Sequence, residues 1–243
     1  MQRKDKQRPD ATLRGRSASL IKGAALPRVL PFALFMVVLA LRGHVSEGAA
    51  RLGSVDIRWF YGAQIAVSLL PILYWRRAYA ELSSAPRFGA ASAISLGAGL
   101  GVFLLWIAPM PGWMHLSVPV ASFVPIDADS VLRWDLVALR AFGAVLVVPL
   151  MEELFWRSFL MRWIDQRDFL SLAPKAVSWV GVLASSAVFG LEHDLWLAGL
   201  VAGLVYAQLY RRLNNLWYAI LAHATTNLAL AAWVVARGAW KYW

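Results

Sequence analysis

Seven apolar segments occupy most of the chain after residue 28, and they constrain its fold more than any other feature. They lie at approximately 29–41, 57–75, 88–110, 136–165, 176–192, 195–210 and 216–236. A bilayer core offers no water to backbone N–H and C=O groups, so segments that cross it form helices of about 20 apolar residues. The segments therefore predict an all-α fold, a polytopic transmembrane helix bundle of about seven spans, within a range of six to eight.

The composition agrees with a membrane protein. Of the 243 residues, 60% are hydrophobic and 16% are charged, and the mean hydropathy is +0.56. Soluble domains carry about 25% charged residues. The 13 tryptophans suit a protein with two interfacial aromatic belts. The absence of cysteine excludes disulfides and thiolate chemistry.

The distribution of basic residues predicts the orientation in the membrane. Eight of the 24 Lys and Arg residues fall in residues 1–28, and segments predicted on that side hold 16 in total against 5 on the other. Cytoplasmic loops of membrane proteins carry an excess of Lys and Arg. We therefore expect a cytoplasmic N-terminus and an external C-terminus. The net charge of +10 is explained in this way without nucleic-acid binding.

Two adjacent carboxylates lie inside the fourth apolar segment. Glu152 and Glu153 follow Pro149, which predicts a kink, and precede Arg157. Charge inside an apolar helix costs several kcal/mol unless it is paired or hydrated. Glu153 and Arg157 are an i,i+4 pair, while Glu152 points about 100° away. The spacing predicts a structural ion pair at Glu153 and a carboxylate at Glu152 that is free to act as a base.

Two further polar groups lie in later apolar segments. His193 follows Phe189 at i,i+4, and His223 precedes Asn227 at the same spacing, so each pair shares a helical face. His193 is flanked by Glu192 and Asp194, which could pair with Lys or Arg, tune the histidine, or lie in the outer interface. Helical rise places the polar groups within the bilayer core at heights that differ by about two turns.

Three motifs follow one another in this part of the chain: Glu-Glu-x-x-x-Arg at 152–157, Phe-x-x-x-His at 189–193 and His-x-x-x-Asn at 223–227. Their order on successive predicted membrane helices resembles the CAAX prenyl endopeptidase type II family, also called the CPBP or Abi family. The resemblance covers Pro149 to about Leu230. The Pro27-to-Leu41 opening and the overall size resemble the bacterial branch found beside exosortase systems, and this resemblance implies a bacterial inner membrane.

The resemblance implies a metal-independent membrane endopeptidase with a catalytic cavity inside the bilayer and no cofactor. Glu152 and His193 would activate a water, His223 and Asn227 would form an oxyanion hole, and Glu153 and Arg157 would orient the site. The expected partners are a membrane protein or peptide substrate, the lipid bilayer and proteins of an exosortase system. The chain then divides into a basic tail (1–28), N-terminal transmembrane helices (29–135), catalytic helices (136–236) and an interfacial tail (237–243).

Two alternatives remain open. Glu152, His193 and His223 together form a set of ligands that suits catalytic zinc, although the His-Glu-x-x-His motif is missing. A membrane scaffold or transporter is the second, because intramembrane charges also mark ion and substrate paths.

Overall fold

Seven helices account for most of the described chain. The computed structural model describes residues 11–46, 51–52, 55–116 and 123–243. A pair of two-residue antiparallel strands, β1 (Arg51–Leu52) and β2 (Val55–Asp56), separates the first two helices. The helices are α1 Ala11–Ser46, α2 Phe60–Tyr74, α3 Ala90–Ile107, α4 Trp134–Asp165, α5 Trp179–Leu191, α6 Trp196–Leu213 and α7 Leu216–Arg237. The predicted all-α helix bundle is confirmed.

Four helical segments of the described chain are long and apolar enough to cross a membrane. They are Gly23–Arg42 within α1, then α3, α4 and α7. Helix α2 has 15 residues, because Ile57–Trp59 at its start form a 3₁₀ turn. Helix α5 has 13 residues, because Ser178 caps its N-terminus and the residues before it form a turn. The chain is an integral membrane protein, and each of the seven apolar segments is largely helical.

Helix α4 contains two π-helical stretches, Gly143–Val147 and Leu154–Leu160. The first directly precedes the segment that contains Pro149. A proline ring clashes with the carbonyl of residue i−4 in a regular α-helix, and a wider turn relieves that clash. Stretches of π-helix are frequent at functional sites. Both glutamates lie between the two stretches, on a short α-helical segment.

Small residues allow the helices that carry the polar motifs to approach closely. Helix α3 packs against α7, and α5 packs against α6. A Cβ atom on Gly99 of α3 would clash with the carbonyl oxygen of Ala222 in α7. A Cβ atom on Gly203 of α6 would lie 3.0 Å from the Cα atom of Ser186 in α5. Small residues at such contacts are typical of packed membrane helices.

A buried ion pair ties α1 to α4 through the turn after α2. Arg28 donates to Glu81 at 2.6 and 2.7 Å, and the Ser158 hydroxyl donates to the same carboxylate. Burial alone would raise the pKa of the Glu81 carboxyl, but its hydrogen bonds and ion pair with Arg28 hold that pKa below its ordinary value. Residues 1–10 of the predicted basic tail lie outside the described residues.

The orientation predicted from charge can be tested by reporter fusions at Lys6 and after Trp243. We expect the first to report the cytoplasm and the second to report the external side, because the segments predicted to be cytoplasmic hold 16 Lys and Arg residues and those predicted to be external hold 5. Opposite sides require an odd number of crossings. If both fusions report the same side, an even number of the seven helices crosses the bilayer and the predicted orientation is wrong.

Candidate active site

Glu153 forms the centre of a buried polar cluster between α4 and α7. Its Oε2 atom lies 3.2 Å from Nε of Arg157, one helical turn along α4. Its Oε1 atom lies 2.9 Å from Nδ1 of His223 on α7. Because a carboxylate only accepts, the Nδ1–H of His223 donates and the ring orientation is fixed. Glu153 and Arg157 are fully enclosed, and the Arg157 guanidinium also lies 4.3 Å from the ring centroid of Phe189.

Glu152 lies beside this cluster without a close partner. Its Oε2 atom is 3.9 Å from Nε2 of His223, which is too long for a direct hydrogen bond. The same oxygen is buried and has no hydrogen-bond partner among the described residues. The two adjacent glutamates therefore differ: one is held by Arg157 and His223, and the other is available to a molecule in the cavity.

His193 lies two residues beyond the end of α5, in the corner that leads to α6. Its Nδ1 atom is 2.8 Å from the carbonyl oxygen of Phe189, so Nδ1–H donates there and Nε2 of the neutral ring is left as an acceptor. The ring meets Trp106 of α3 edge to face, with 5.3 Å between the ring centroids. The orientation of His193 is thus set by Phe189 in the second half of the chain and by Trp106 in the first half.

Asn227 and Tyr206 complete the polar wall. The Asn227 side-chain amide donates to the carbonyl of Ala144, in the first π-helical stretch of α4, at 2.7 Å. Its second N–H makes no other hydrogen bond among the described residues. Tyr206 of α6 stacks on His223 with 4.9 Å between ring centroids, and its hydroxyl bonds to that of Thr226 at 2.7 Å.

These groups face one cavity of about 220 Å³. Four of the six predicted site residues line it, namely Glu152, His193, His223 and Asn227, and Glu153 and Arg157 lie behind His223. The cavity wall also contains side chains that no sequence motif marks: Phe35, Tyr61, Trp106, Arg140 and Tyr206. Three of these come from α1, α2 and α3, where apolar periodicity gives no signal of a site.

The two acids beside His193 point to different surroundings. Glu192 is close enough to Glu152 and Arg157 to interact with both electrostatically, so it belongs to the charged cluster. Asp194 pairs with His115, at 2.6 Å, on the loop after α3. Across the described residues, no group of three or more His, Asp or Glu side chains is placed to hold a metal ion.

The second half of the chain matches a known protein family. Residues 134–229 match the family model of the type II CAAX prenyl endopeptidase Rce1-like family. The match begins at the first residue of α4 and ends within α7, so it contains all six predicted site residues. No curated protein and no solved structure matches the chain. The exosortase-associated branch stays a prediction. Residues 134–229 of this membrane chain are therefore similar to the type II CAAX prenyl endopeptidase Rce1-like family.

Proposed function

We propose that the protein is an intramembrane endopeptidase that hydrolyses a peptide bond of a membrane protein or peptide, with Glu152 as the general base. The observation that carries this proposal is the contrast between the two adjacent carboxylates. Glu153 is paired with Arg157 and hydrogen-bonded to His223, whereas Glu152 lines the cavity and its Oε2 atom has no hydrogen-bond partner among the described residues. A positioned carboxylate that is excluded from bulk water is an effective base.

In this mechanism the reacting water lies between Glu152 and His223. A water about 2.8 Å from both Glu152 Oε2 and His223 Nε2 is compatible with the 3.9 Å between those atoms. His193 presents its Nε2 acceptor to the same cavity. Glu152 takes a proton as the water oxygen attacks the carbonyl carbon, and returns it to the amine when the C–N bond breaks. His193 accepts the second hydrogen of the water when His223 is an imidazolium, since Nε2–H of His223 then donates to the water oxygen.

The developing oxyanion needs donors, and the structure constrains which groups can supply them. Asn227 retains one amide N–H beyond its bond to Ala144. His223 gives its Nδ1–H to Glu153, so it donates from Nε2 only as an imidazolium, a charged form that Glu153 is placed to stabilise. We propose Asn227 as the constant donor and His223 as a donor in its protonated form. Donors aimed at developing charge gain strength where water is excluded.

The activity can be tested without knowing the substrate. Protein N-termini would be mapped in membranes from cells that have the gene, lack it, or carry Glu152→Gln in its place. We expect a set of membrane-protein N-termini that is present with the wild-type gene and absent both from the deletion strain and from the Glu152→Gln strain. We also expect these N-termini to form in the presence of a metal chelator. Identical sets in all three membranes would argue for a scaffold, and chelator-sensitive cleavage would argue for zinc.

Asn227→Ala is expected to slow turnover with little change in substrate affinity. Removal of one oxyanion donor typically lowers kcat by about 10²–10³. We expect KM to stay within a few-fold, because the donor acts mainly in the transition state. Thr225→Ala is a matched control on the same helix, since among the described residues its hydroxyl bonds only to the Leu221 carbonyl. Normal kcat with a raised KM in Asn227→Ala would assign this side chain to substrate binding instead.

A further inference from the structure

The turn after α7 forms part of the wall of the active-site cavity. Tyr242 and Trp243 line this cavity, and both residues are half-buried. They therefore lie between the cavity and the surroundings of the protein. The other residues that line the cavity come from helices of the bundle or from the corner that holds His193. The predicted interfacial tail thus contributes directly to the site.

This turn is held against the bundle by few contacts. Among the described residues, one backbone hydrogen bond joins it to a distant part of the chain, in which the Phe123 N–H donates to the Trp243 carbonyl at 3.1 Å. The two rings also meet edge to face, with 6.3 Å between their centroids. Tyr242 meets Trp233 of α7 in the same way at 5.3 Å. These contacts are all on the surface of the bundle side that the turn covers, and movement of the turn breaks only this small set.

A glycine in the left-handed conformation joins α7 to the turn. Gly238 directly follows α7 and has φ of 61° and ψ of 27°. Glycine adopts positive φ without the steric cost that a Cβ atom adds, and it changes conformation more readily than other residues. Hinges of lids are often a few residues at the end of a helix or strand. Gly238 is therefore placed to act as a hinge for the residues after it.

The size of the cavity requires part of its wall to move when a peptide binds. The cavity measures about 220 Å³, whereas pockets that enclose a drug-sized ligand measure about 300–1,000 Å³. A peptide extends on both sides of the bond that is cleaved and needs at least as much room. The helices around the cavity are fixed by buried contacts such as the hydrogen bond from His223 to Glu153. Segments with few buried contacts open most easily, so the turn is the part of the wall that we expect to move.

We propose that residues 240–243 are a lid on the active-site cavity, hereafter the C-terminal lid. The lid rests against Phe123 in the closed state and swings away about Gly238 to admit a peptide. This inference rests on the proposed function only for the identity of the entering molecule. Trp243 holds the lid closed, since it contacts Phe123 through both its carbonyl and its ring. A closed lid shields Glu152 from bulk water and lowers the apparent affinity for substrate, because only the open state binds.

The first experiment measures access to the cavity and requires no substrate. The chain has no cysteine, so Leu230→Cys places a single thiol in the cavity wall. Its alkylation rate with N-ethylmaleimide is measured on the purified protein, with Trp243 in place and with Trp243→Ala. We expect Trp243→Ala to raise this rate about three- to tenfold, as the loss of one aromatic contact implies. Leu228→Cys is the matched control at an exposed position of the same helix, and its rate should not depend on Trp243.

The second experiment locks the C-terminal lid. Phe123→Cys combined with Trp243→Cys places two thiols at the contact, and a short bis-methanethiosulfonate linker joins them reversibly. The readout is the cleavage rate of a peptide that contains a site found by N-terminal mapping. We expect linking to lower this rate at least about tenfold, because the open state is no longer populated, and reduction to restore it. Each single-cysteine variant treated with the linker should keep its rate.

Three results would overturn the inference. The first is an alkylation rate of the Leu230→Cys thiol that does not change in Trp243→Ala, which would leave the turn as an interfacial anchor. The second is an equal rise at Leu228→Cys, which would indicate general loosening of α7. The third is undiminished cleavage by the linked protein, which would leave a peptidase without a lid. Access that depends on Trp243, in a protein that cleaves nothing, would support the C-terminal lid and count against the proposed function.

Discussion

Glu152→Gln is expected to abolish peptide hydrolysis while the protein remains folded. Glutamine keeps the shape of the side chain but cannot accept a proton from water, and loss of a general base typically lowers the rate by about 10²–10⁴. Stability should change little, because the Glu152 Oε2 atom has no hydrogen-bond partner in the described structure. The measurements are cleavage rate and thermal denaturation of the purified protein in detergent.

Asp135→Asn is the matched control for this substitution. Asp135 lies in the first turn of α4 and is paired with Arg133 on an exposed surface. The same carboxylate-to-amide change there should leave the cleavage rate unaltered. Full activity in Glu152→Gln would exclude Glu152 as the base, and an unfolded protein would show that this carboxylate has a structural role.

Glu153→Ala is expected to destabilise the protein, in contrast to Glu152→Gln. The substitution leaves Arg157 buried without an acid and removes the acceptor of the His223 Nδ1–H. Removing one partner of a buried ion pair costs about 3–5 kcal/mol. We expect a lower denaturation temperature and lower abundance in the membrane, together with loss of activity.

The origin of that destabilisation can be separated with a double substitution. If the unpaired Arg157 is the main cause, Glu153→Ala with Arg157→Leu should be more stable than Glu153→Ala alone, because no isolated charge remains. Equal expression, stability and activity loss in Glu152→Gln and Glu153→Ala would contradict the division of roles between the two glutamates.

Local spacing was sufficient to predict the part of the site that lies on one helix. The i,i+4 relation places Glu153 against Arg157, and the turn between them leaves Glu152 on another face. The same i,i+4 spacing predicts that His193 lies beside Phe189. The two residues are in contact, but the helix ends before His193 and the hydrogen bond is to the Phe189 backbone carbonyl. The seven apolar segments likewise became seven helices, because burial of backbone polar groups leaves few other solutions in a bilayer.

Contacts between helices could not be predicted in this way. Nothing in the spacing of His223 indicates that it bonds to Glu153, since that depends on how α7 lies against α4. Trp106 and Tyr206 sit in apolar segments where an aromatic residue is unremarkable, yet both rings contact the site histidines. Charge counting grouped Arg28 with a solvated basic tail, whereas it is buried against Glu81. Each case depends on tertiary packing that no local pattern encodes.

The cavity wall is assembled from two parts of the chain. The side chains proposed for chemistry all come from α4 to α7, within the matched segment, whereas Phe35, Tyr61 and Trp106 come from helices before it. Substitutions at Phe35 or Tyr61 therefore change the shape of the cavity without touching the histidines, whereas a substitution at Trp106 also removes a ring that contacts His193.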